Sequence, residues 1–395
     1  MSSSPLKMAR CVPALFVSDV LAPYSSLAAL SDRQAPVVQI DGDCHFGNFG
    51  VVCGPDKQAV WGLNDHDMTC KGSPAFDLDR LAFSLVSEMR QQGFNVDKTS
   101  KVVTHLAAAY LAELASVAED ASRNRPYLEA NETEGILKRL IEKADGVSRR
   151  DFIEKIAKSD AHGGWTFLHT DSVAAVTTGE ATPVTQALHR YDETQGKTPT
   201  AARPLRILDI ARKTDSGGSS FGQPRYWVLV ENADASNPPI VLEVKQELPA
   251  PLVDWNGDPA TAARASKPNW TGNLHKADAM QVVRGQAAMG GDLNPITGTT
   301  EIDGLSYLVR EREPCKDSLS QGDLEKVSDF VTVAEASGKV LANAHARSEA
   351  GAKALLAWAG DGHRFAERLD AFAQAYATQA EQDLSAYRQA HPQGA

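Results

Sequence analysis

The stretch DGDCHFGNFG at residues 41–50, together with LNDHD at residues 63–67, decides the fold prediction. An apolar run rich in β-branched or aromatic residues leads into each stretch, at 37–40 and at 60–63. Runs of this kind, bounded by Gly, Asn and Asp, predict short strands that end in polar turns. We therefore expect the two turns to meet at neighbouring strand ends.

Five oxygen-bearing side chains in these turns predict a cation site: Asp41, Asp43, Asn48, Asp65 and Asp67. Neighbouring carboxylates repel one another unless a proton or a cation intervenes. Mg²⁺ takes oxygen ligands and is shared with substrate phosphates, so it is the predicted ion. Two other interpretations stay open. Asp and Asn beside Gly also form turns by bonding their own backbone, and the Cys and His residues of the same window could bind zinc, although their spacing does not match structural zinc sites.

The composition limits the classes of function. The 395 residues carry 40 basic and 51 acidic side chains, a net charge of −11, which argues against a protein that coats nucleic acid or an anionic membrane. No apolar run reaches the ~18 residues of a membrane span. The five cysteines are an odd number without a CxxC pair, so we expect no disulfide framework and a cytoplasmic location.

The chain divides into helical, β-rich and helical regions. Val103, Leu106 and Tyr110 recur at three- and four-residue steps, which predicts a helix, and a second helix is predicted over 133–158. Gly, Ser, Thr and Pro make 159–204 a predicted loop or lid. The predicted strands of the β-rich region are 207–208, 226–230, 240–244 and 307–309. The predicted regions are 1–204, 205–312 and 313–395.

The segments GDCHFGNFG, LNDHD and FDLDRLAFSL together resemble a bacterial family known as domain of unknown function 2252. That family is similar to the protein-kinase-like fold of aminoglycoside and choline phosphotransferases. The resemblance implies an α+β fold with two lobes. It also implies that ATP and Mg²⁺ are cofactors.

The resemblance gives roles to the acidic residues. Asp43 would be the catalytic carboxylate that orients or deprotonates the acceptor hydroxyl. Asn48 and Asp65 would hold Mg²⁺, with Asp67 assisting. Asp77 would tie the catalytic loop from the start of its helix, where Arg80 could pair with it.

A kinase-like enzyme also needs a glycine-rich phosphate loop and a strand lysine. SGGSSFG at 216–222 and Lys245 in VLEVKQE fit these parts, and YLVRER at 307–312 fits the strand beside the adenine. A hairpin loop and a solvated strand lysine are the alternative interpretations. Lys245 is predicted to be catalytic together with Asp43. The predicted nucleotide-binding residues are Gly217, Gly218, Ser219, Ser220, Gly222, Lys245, Val309 and Glu311.

These parts follow the catalytic loop in the chain, whereas in kinases they precede it, so we predict a circular permutation. LANAHARS at 341–348 matches the helix that normally comes before the catalytic loop, and His345 on its apolar face is predicted to be a core histidine. The helix predicted at 276–289 lacks the glutamate that normally pairs with the strand lysine. The partner of Lys245 is therefore left open.

The function implied by the resemblance is ATP-dependent phosphoryl transfer to a small-molecule acceptor. The alternatives are a nucleotide-binding module with little or no turnover, and transfer of phosphate or of the nucleotide to a protein. No nucleic-acid, membrane or obligate protein partner is expected.

Overall fold

The computed structural model of the protein describes residues 3–21, 35–54, 56–195, 201–202, 204–215, 217, 220–249, 277–291, 294–320 and 322–392. Gly218 and Ser219 of the predicted phosphate loop, and Lys276 at the predicted start of a helix, lie outside these residues. The described chain is an α+β protein in which helices accompany several antiparallel sheets.

The described residues form eleven α-helices and thirteen β-strands. The helices are α1 Pro5–Cys11, α2 Pro13–Leu21, α3 Pro74–Gln91, α4 Val96–Glu119, α5 Gly135–Asp145, α6 Arg149–Ile156, α7 Thr178–Gln195, α8 Ala279–Gly290, α9 Val327–Ala346, α10 Glu349–Ala359 and α11 Gly362–Ala390. The strands are β1 Val38–Ile40, β2 Phe49–Cys53, β3 Ala59–Leu63, β4 Cys70–Gly72, β5 Tyr127–Leu128, β6 Ala157–Ser159, β7 Trp165–Phe167, β8 Val173–Ala175, β9 Ile207–Lys213, β10 Arg225–Val230, β11 Ile240–Gln246, β12 Gly298–Ile302 and β13 Leu305–Glu311.

The helical part of the molecule is built around α4 and α9. The predicted apolar face of α4 is fully buried, as Val103, Leu106 and Tyr110 show. Gly338 on α9 lets the two helices touch, because a Cβ there would lie 2.9 Å from the Leu106 carbonyl oxygen. Within the described residues, α4 is also the one helix long and apolar enough to cross a membrane. Here its apolar face is packed against other helices.

Six antiparallel strands form the main sheet, in the order β12-β13-β11-β10-β9-β8. The four strands predicted for this region are present as β9, β10, β11 and β13. Lys245 on β11 lies opposite Arg225 on β10 and Leu308 on β13. Since side chains alternate along a strand, Glu243 and Lys245 project from the same face of the sheet.

The segment from α6 to α7 belongs to this sheet rather than to the helical part. Ile153 of α6 and Phe167 of β7 pack on one face of the sheet, and Val184 and Leu188 of α7 pack on the other. β8 extends the sheet by pairing with β9. The chain thus turns to the sheet well before residue 204, where the sequence placed the boundary.

Two local predictions differ from the structure for reasons of capping and burial. The helix predicted over 133–158 is divided into α5 and α6, because Ser148 starts a new helix by accepting the Asp151 N–H at 3.1 Å. The predicted loop contains α7, whose buried stripe includes Val184 and Leu188. Pro183 lies inside that helix, and its presence favoured a loop in the sequence.

One disulfide joins Cys53 on β2 to Cys315, just after β13, with the two Cα atoms 5.6 Å apart. The Val51 N–H beside it donates to the Asp317 carbonyl oxygen at 2.8 Å, so the chain leaving the sheet is attached to β2. The expectation of no disulfide framework missed this pair, because 262 positions separate its members and no local spacing marks them. Cysteine usage therefore no longer argues for the cytoplasm.

Candidate active site

The loop that carries the acidic residues is fixed by Asp77, in the first turn of α3. The fully buried Asp77 carboxylate accepts the N–H groups of Asp41 at 2.7 Å and of Gly42 at 2.9 Å. Gly42 has a φ of 82°, and a Cβ there would overlap the Met68 carbonyl, so glycine is required. Asp77 has the structural role predicted for it.

His345 holds Asp77 from the opposite side. Its Nε2 lies 3.1 Å from Asp77 Oδ2, and its Nδ1 lies 3.0 Å from the Tyr110 hydroxyl oxygen. All three side chains are buried, and they connect α3, α4 and α9 beneath the loop. The prediction of a core histidine is confirmed.

Asp43 is bonded to Arg80, which the sequence had paired with Asp77. Arg80 Nε donates to Asp43 Oδ1 at 2.9 Å, and another guanidinium nitrogen donates to the same oxygen at 2.5 Å. Helical side chains lean toward the N-terminus of their helix, which aims Arg80 at the loop. Burial raises the pKa of Asp43 to about 6, although the Arg80 charge opposes this rise. The second oxygen, Oδ2, is left for another partner, with His45 Nε2 4.0 Å away.

The structure brings the five predicted oxygen-bearing side chains together, because Asp41, Asp43, Asn48, Asp65 and Asp67 all line one small cavity. Several of their oxygens are buried without a hydrogen-bond partner: both of Asp41, Oδ1 of Asp65 and Oδ1 of Asp67. Within the described part of the chain, no three His, Cys, Asp or Glu side chains form a ready metal cage. Mg²⁺ needs only one or two carboxylates when phosphates and waters complete its shell, so the donors present fit that ion.

Asp41 and Asp65, two carboxyl groups of this cavity, have pKa values that are shifted in opposite directions. Burial raises the pKa of Asp41 well above its usual range, and Asp77 and Asp43 raise it further. Burial also acts on Asp65, but the nearby cations, led by Lys245, outweigh it and lower the pKa of Asp65 to about 2. At neutral pH, the Asp65 carboxyl group is therefore charged.

Lys245 reaches the acidic loop from the sheet. Its ammonium group forms an ion pair with Asp67 and lies 4.0 Å from Glu247 Oε1. The lysine is only 2% exposed, so the alternative of a solvated strand lysine is wrong. Asp67 and Glu247 are therefore the acidic partners of Lys245, which the sequence had left open. The VLEVKQE pattern carried the signal for Glu247, since residues 245 and 247 share one face of the strand.

The described part of the glycine-rich loop joins the same site. Ser220 lines a cavity with Lys245 and Asp67. Gly222 has a φ of 80°, and at both Gly217 and Gly222 a Cβ would meet no atom within 4 Å. The space around these two glycines is therefore open.

Val309 and Glu311, the two residues of β13 that were predicted to bind the nucleotide, lie in different surroundings. Val309 is fully buried in the core on the face of the sheet opposite to Lys245. It is paired with Val244 on one flanking strand and with Gly298 on the other. The prediction that Val309 contacts the nucleotide is therefore wrong. Glu311 lies at the end of β13 and lines a cavity of about 110 Å³ between the sheet and the helical part.

Sequence reasoning missed the charged residues of this larger cavity. Arg310, Arg312 and Lys316 line it, and so does Glu243 on β11. The cavity reaches the acidic loop at His66, whose pKa burial lowers to about 4. Arg310 and Arg312 stand in the quoted YLVRER segment, where they carried no recognisable motif.

The fold and the site define an α+β protein in which an acidic loop meets a buried lysine at the boundary between helices and sheet. The chain belongs to the family described as uncharacterized protein conserved in bacteria (DUF2252), which it matches over residues 1–390. No curated protein and no solved structure matches the chain.

Proposed function

We propose that the protein is an ATP-dependent phosphotransferase that uses Mg²⁺ and acts on a small-molecule acceptor. The observation that carries this proposal is the ion pair between Lys245 of the sheet and Asp67 of the acidic loop. The contact places an ammonium group, which suits phosphate oxygens, beside carboxylates that suit Mg²⁺. Binding of a nucleoside triphosphate needs both groups within one site.

The order of the strands around Lys245 supports the proposal. Apart from β8, the sheet runs β9-β10-β11-β13-β12, with Lys245 on β11, the third strand in the chain. The glycine-rich loop joins β9 to β10, and α8 follows β11. In protein kinases the phosphate-binding lysine is likewise on the third strand, and a glycine-rich loop covers the phosphates. Since the acidic loop comes earlier in this chain, we propose a circularly permuted kinase-like fold.

Asp43 would act on the acceptor. Arg80 holds one carboxylate oxygen, which fixes the orientation of the group and leaves Oδ2 to receive the proton of an acceptor hydroxyl. The acceptor oxygen then bonds to the γ-phosphorus while the bond from that phosphorus to the β,γ-bridging oxygen breaks, and ADP leaves. Asp77 contributes indirectly by holding the backbone of the loop.

Asn48, Asp65 and Asp67 would hold Mg²⁺. The fit rests on the buried oxygens of Asp65 and Asp67 that lack hydrogen-bond partners. Asn48 donates its Nδ2 hydrogen to the Asp43 carbonyl at 2.9 Å, so its side-chain oxygen is available as a neutral ligand. When bound, the ion would neutralise charge on the β- and γ-phosphates.

The nucleotide would lie between the acidic loop and the sheet. In the proposal, Ser220 and the glycines of the loop approach the phosphates, Lys245 pairs with their oxygens, and Glu311 lies toward the base. Asp67 and Glu247 would keep Lys245 in place, a role that the helix glutamate has in kinases. The acceptor is a small molecule in this proposal.

Label transfer from ATP tests the proposal. The full chain is incubated with Mg·ATP labelled at the α- or the γ-phosphate and with a bacterial metabolite extract. We expect γ-label in a small molecule with release of ADP, and a loss of at least ~100-fold in Asp43→Ala, as for removal of a general base. Asp97→Asn, on the exposed start of α4, is the matched control and should keep full transfer.

Other results of the same assay would indicate a different function. Transfer of the α-label would indicate nucleotide transfer, label in protein would indicate a protein acceptor, and ATP binding without consumption would indicate a nucleotide-binding module. Equal transfer by Asp43→Ala and the unmodified chain would contradict the proposed role of Asp43.

A further inference from the structure

The cavity of about 110 Å³ beside β13 has an unusual concentration of positive charge. Arg310, Arg312 and Lys316 all line it, and Glu243 forms ion pairs with the two arginines. Arg310 is the main partner of the Glu243 carboxylate. Its Nε lies 2.8 Å from Glu243 Oε2, and a second guanidinium nitrogen lies 2.7 Å from the same oxygen. Arg225 also lies 3.7 Å from Glu243, so this one buried acid faces three arginines.

Arg312 and Lys316, the other two cations of the cavity, are poorly paired with carboxylates, although the Arg312 guanidinium lies 4.5 Å from the centre of the Trp227 ring. The closest approach of Arg312 to Glu243 is 3.6 Å, longer than a charge-assisted hydrogen bond, and its Nε is buried without a partner. Among the residues that the structure describes, no carboxylate lies within ion-pair distance of Lys316 Nζ. Lys316 is exposed to solvent and lines the cavity together with Arg310 and Arg312.

The remaining acids of the cavity have partners outside this cluster. Glu311 pairs with Arg149 at 2.5 Å and accepts a hydrogen from Asn294 at 2.9 Å. Glu313 accepts the other hydrogen of Asn294 at 2.8 Å, and burial raises its pKa. They therefore do little to neutralise Arg312 and Lys316.

We propose that this cavity binds a phosphate group of a small molecule, held by Arg312 and Lys316 with Arg310 beside them. A guanidinium group offers a planar pair of donors that matches phosphate, and an ammonium group adds a point charge. A phosphate carries close to two negative charges, so it balances a pair of surplus cations better than a carboxylate does. At roughly 30 Å³ per water molecule, the cavity also has room for such a group.

The site is separate from the lysine that meets the acidic loop. Residues 63–67 lie between the two cavities, with His66 on the side of the arginines and Asp65 and Asp67 on the other. The influence of Arg310 and Lys316 on the pKa of Asp65 shows that the two sites are electrostatically close. The bound phosphate is either one of the nucleotide's own phosphates or a phosphate on the acceptor.

Calorimetric titration of the full chain with inorganic pyrophosphate, without Mg²⁺, tests the site. The double variant Arg312→Gln/Lys316→Gln should bind pyrophosphate at least tenfold more weakly than the unmodified chain. The control Arg123→Gln/Arg150→Gln removes the same charge from exposed side chains and should leave the affinity unchanged. Lys316→Gln alone removes an exposed side chain, so it keeps the test valid if the double variant fails to fold.

The results distinguish a phosphate of the nucleotide from a phosphate of the acceptor. They also distinguish failure of the phosphate site from failure of the proposed function. If the double variant loses ATP affinity in parallel with pyrophosphate affinity, the phosphate is the nucleotide's own; if ATP affinity is unchanged, it belongs to the acceptor. Pyrophosphate binding that depends on these residues, in a chain that never binds ATP, would support the site and contradict the proposed function. Equal pyrophosphate affinity in the double variant and the control, or no binding to the unmodified chain, would overturn the site.

Discussion

Replacement of Asp77 by asparagine should loosen the loop that carries the acidic residues. Oδ2 of Asp77 accepts hydrogens from Asp41 N and from His345 Nε2, whereas Oδ1 accepts the Gly42 N–H at 2.9 Å. An asparagine keeps one oxygen, so its amide hydrogens would face the Gly42 N–H. A hydrogen bond to a charged group contributes ~1.5–3 kcal/mol, and an unsatisfied buried donor costs ~1–3 kcal/mol. We therefore expect Asp77→Asn to lower the free energy of unfolding by about 3–5 kcal/mol.

Urea unfolding, followed by tryptophan fluorescence, measures this change, and amide hydrogen exchange reports where it acts. Exchange at Gly42 should accelerate more than exchange in the middle of α4. The control Asp97→Asn changes an exposed carboxylate in the first turn of a neighbouring helix, where the helix dipole alone predicts ~0.3–1 kcal/mol. A loss below 1 kcal/mol in Asp77→Asn, or equal losses in both variants, would refute the reasoning.

Three further predictions follow from other contacts. Gly285→Ala should destabilise the fold by ~1–3 kcal/mol, although alanine has the higher helix propensity, because the new methyl group would overlap Thr69. The Thr69 hydroxyl donates to the Ile40 carbonyl at 2.8 Å, so the overlap also disturbs this bond. Chemical unfolding would show no loss of stability if the overlap is harmless. Reduction of the Cys53–Cys315 bond should lower the free energy of unfolding by ~2–4 kcal/mol, because it frees a long loop, and Cys53→Ser should then be insensitive to reductant; a reductant effect that persists in Cys53→Ser would exclude this cause. Transfer activity should fall about tenfold per pH unit below pH 6, because the pKa of Asp43 is raised to about 6 and only its charged form accepts a proton; a flat profile from pH 5 to 7 would contradict this role.

The sequence predicted the acidic site because its signal is local. Asp43, Asn48 and Asp65 stand in turns beside short apolar strands, and turn chemistry alone places them near one another. Lys245 was harder to place, since its partner Asp67 comes from a loop 178 positions earlier in the chain. The family resemblance supplied that link, and the structure identified Asp67 and Glu247 as the carboxylates involved.

The errors have physical causes that periodicity does not capture. Val309 was assigned to the nucleotide because its segment resembles the strand beside the adenine in kinases, but strands on both sides make it part of the core. Helix α7 was hidden by Pro183, since only tertiary burial of Val184 and Leu188 on the sheet explains a helix there. The pairing of Cys53 with a distant cysteine is equally a matter of folded geometry.

Thermal unfolding with and without Mg·ATP tests most directly whether Lys245 and the Asp65–Asp67 loop form one nucleotide site. At ~100 times its dissociation constant, the ligand should stabilise the fold by ~2.7 kcal/mol, a rise of a few degrees in Tm. The account predicts this rise for the unmodified chain, a smaller one for ATP without Mg²⁺, and none for Lys245→Met. A Tm that does not move with Mg·ATP, or that rises equally in Lys245→Met, would contradict it.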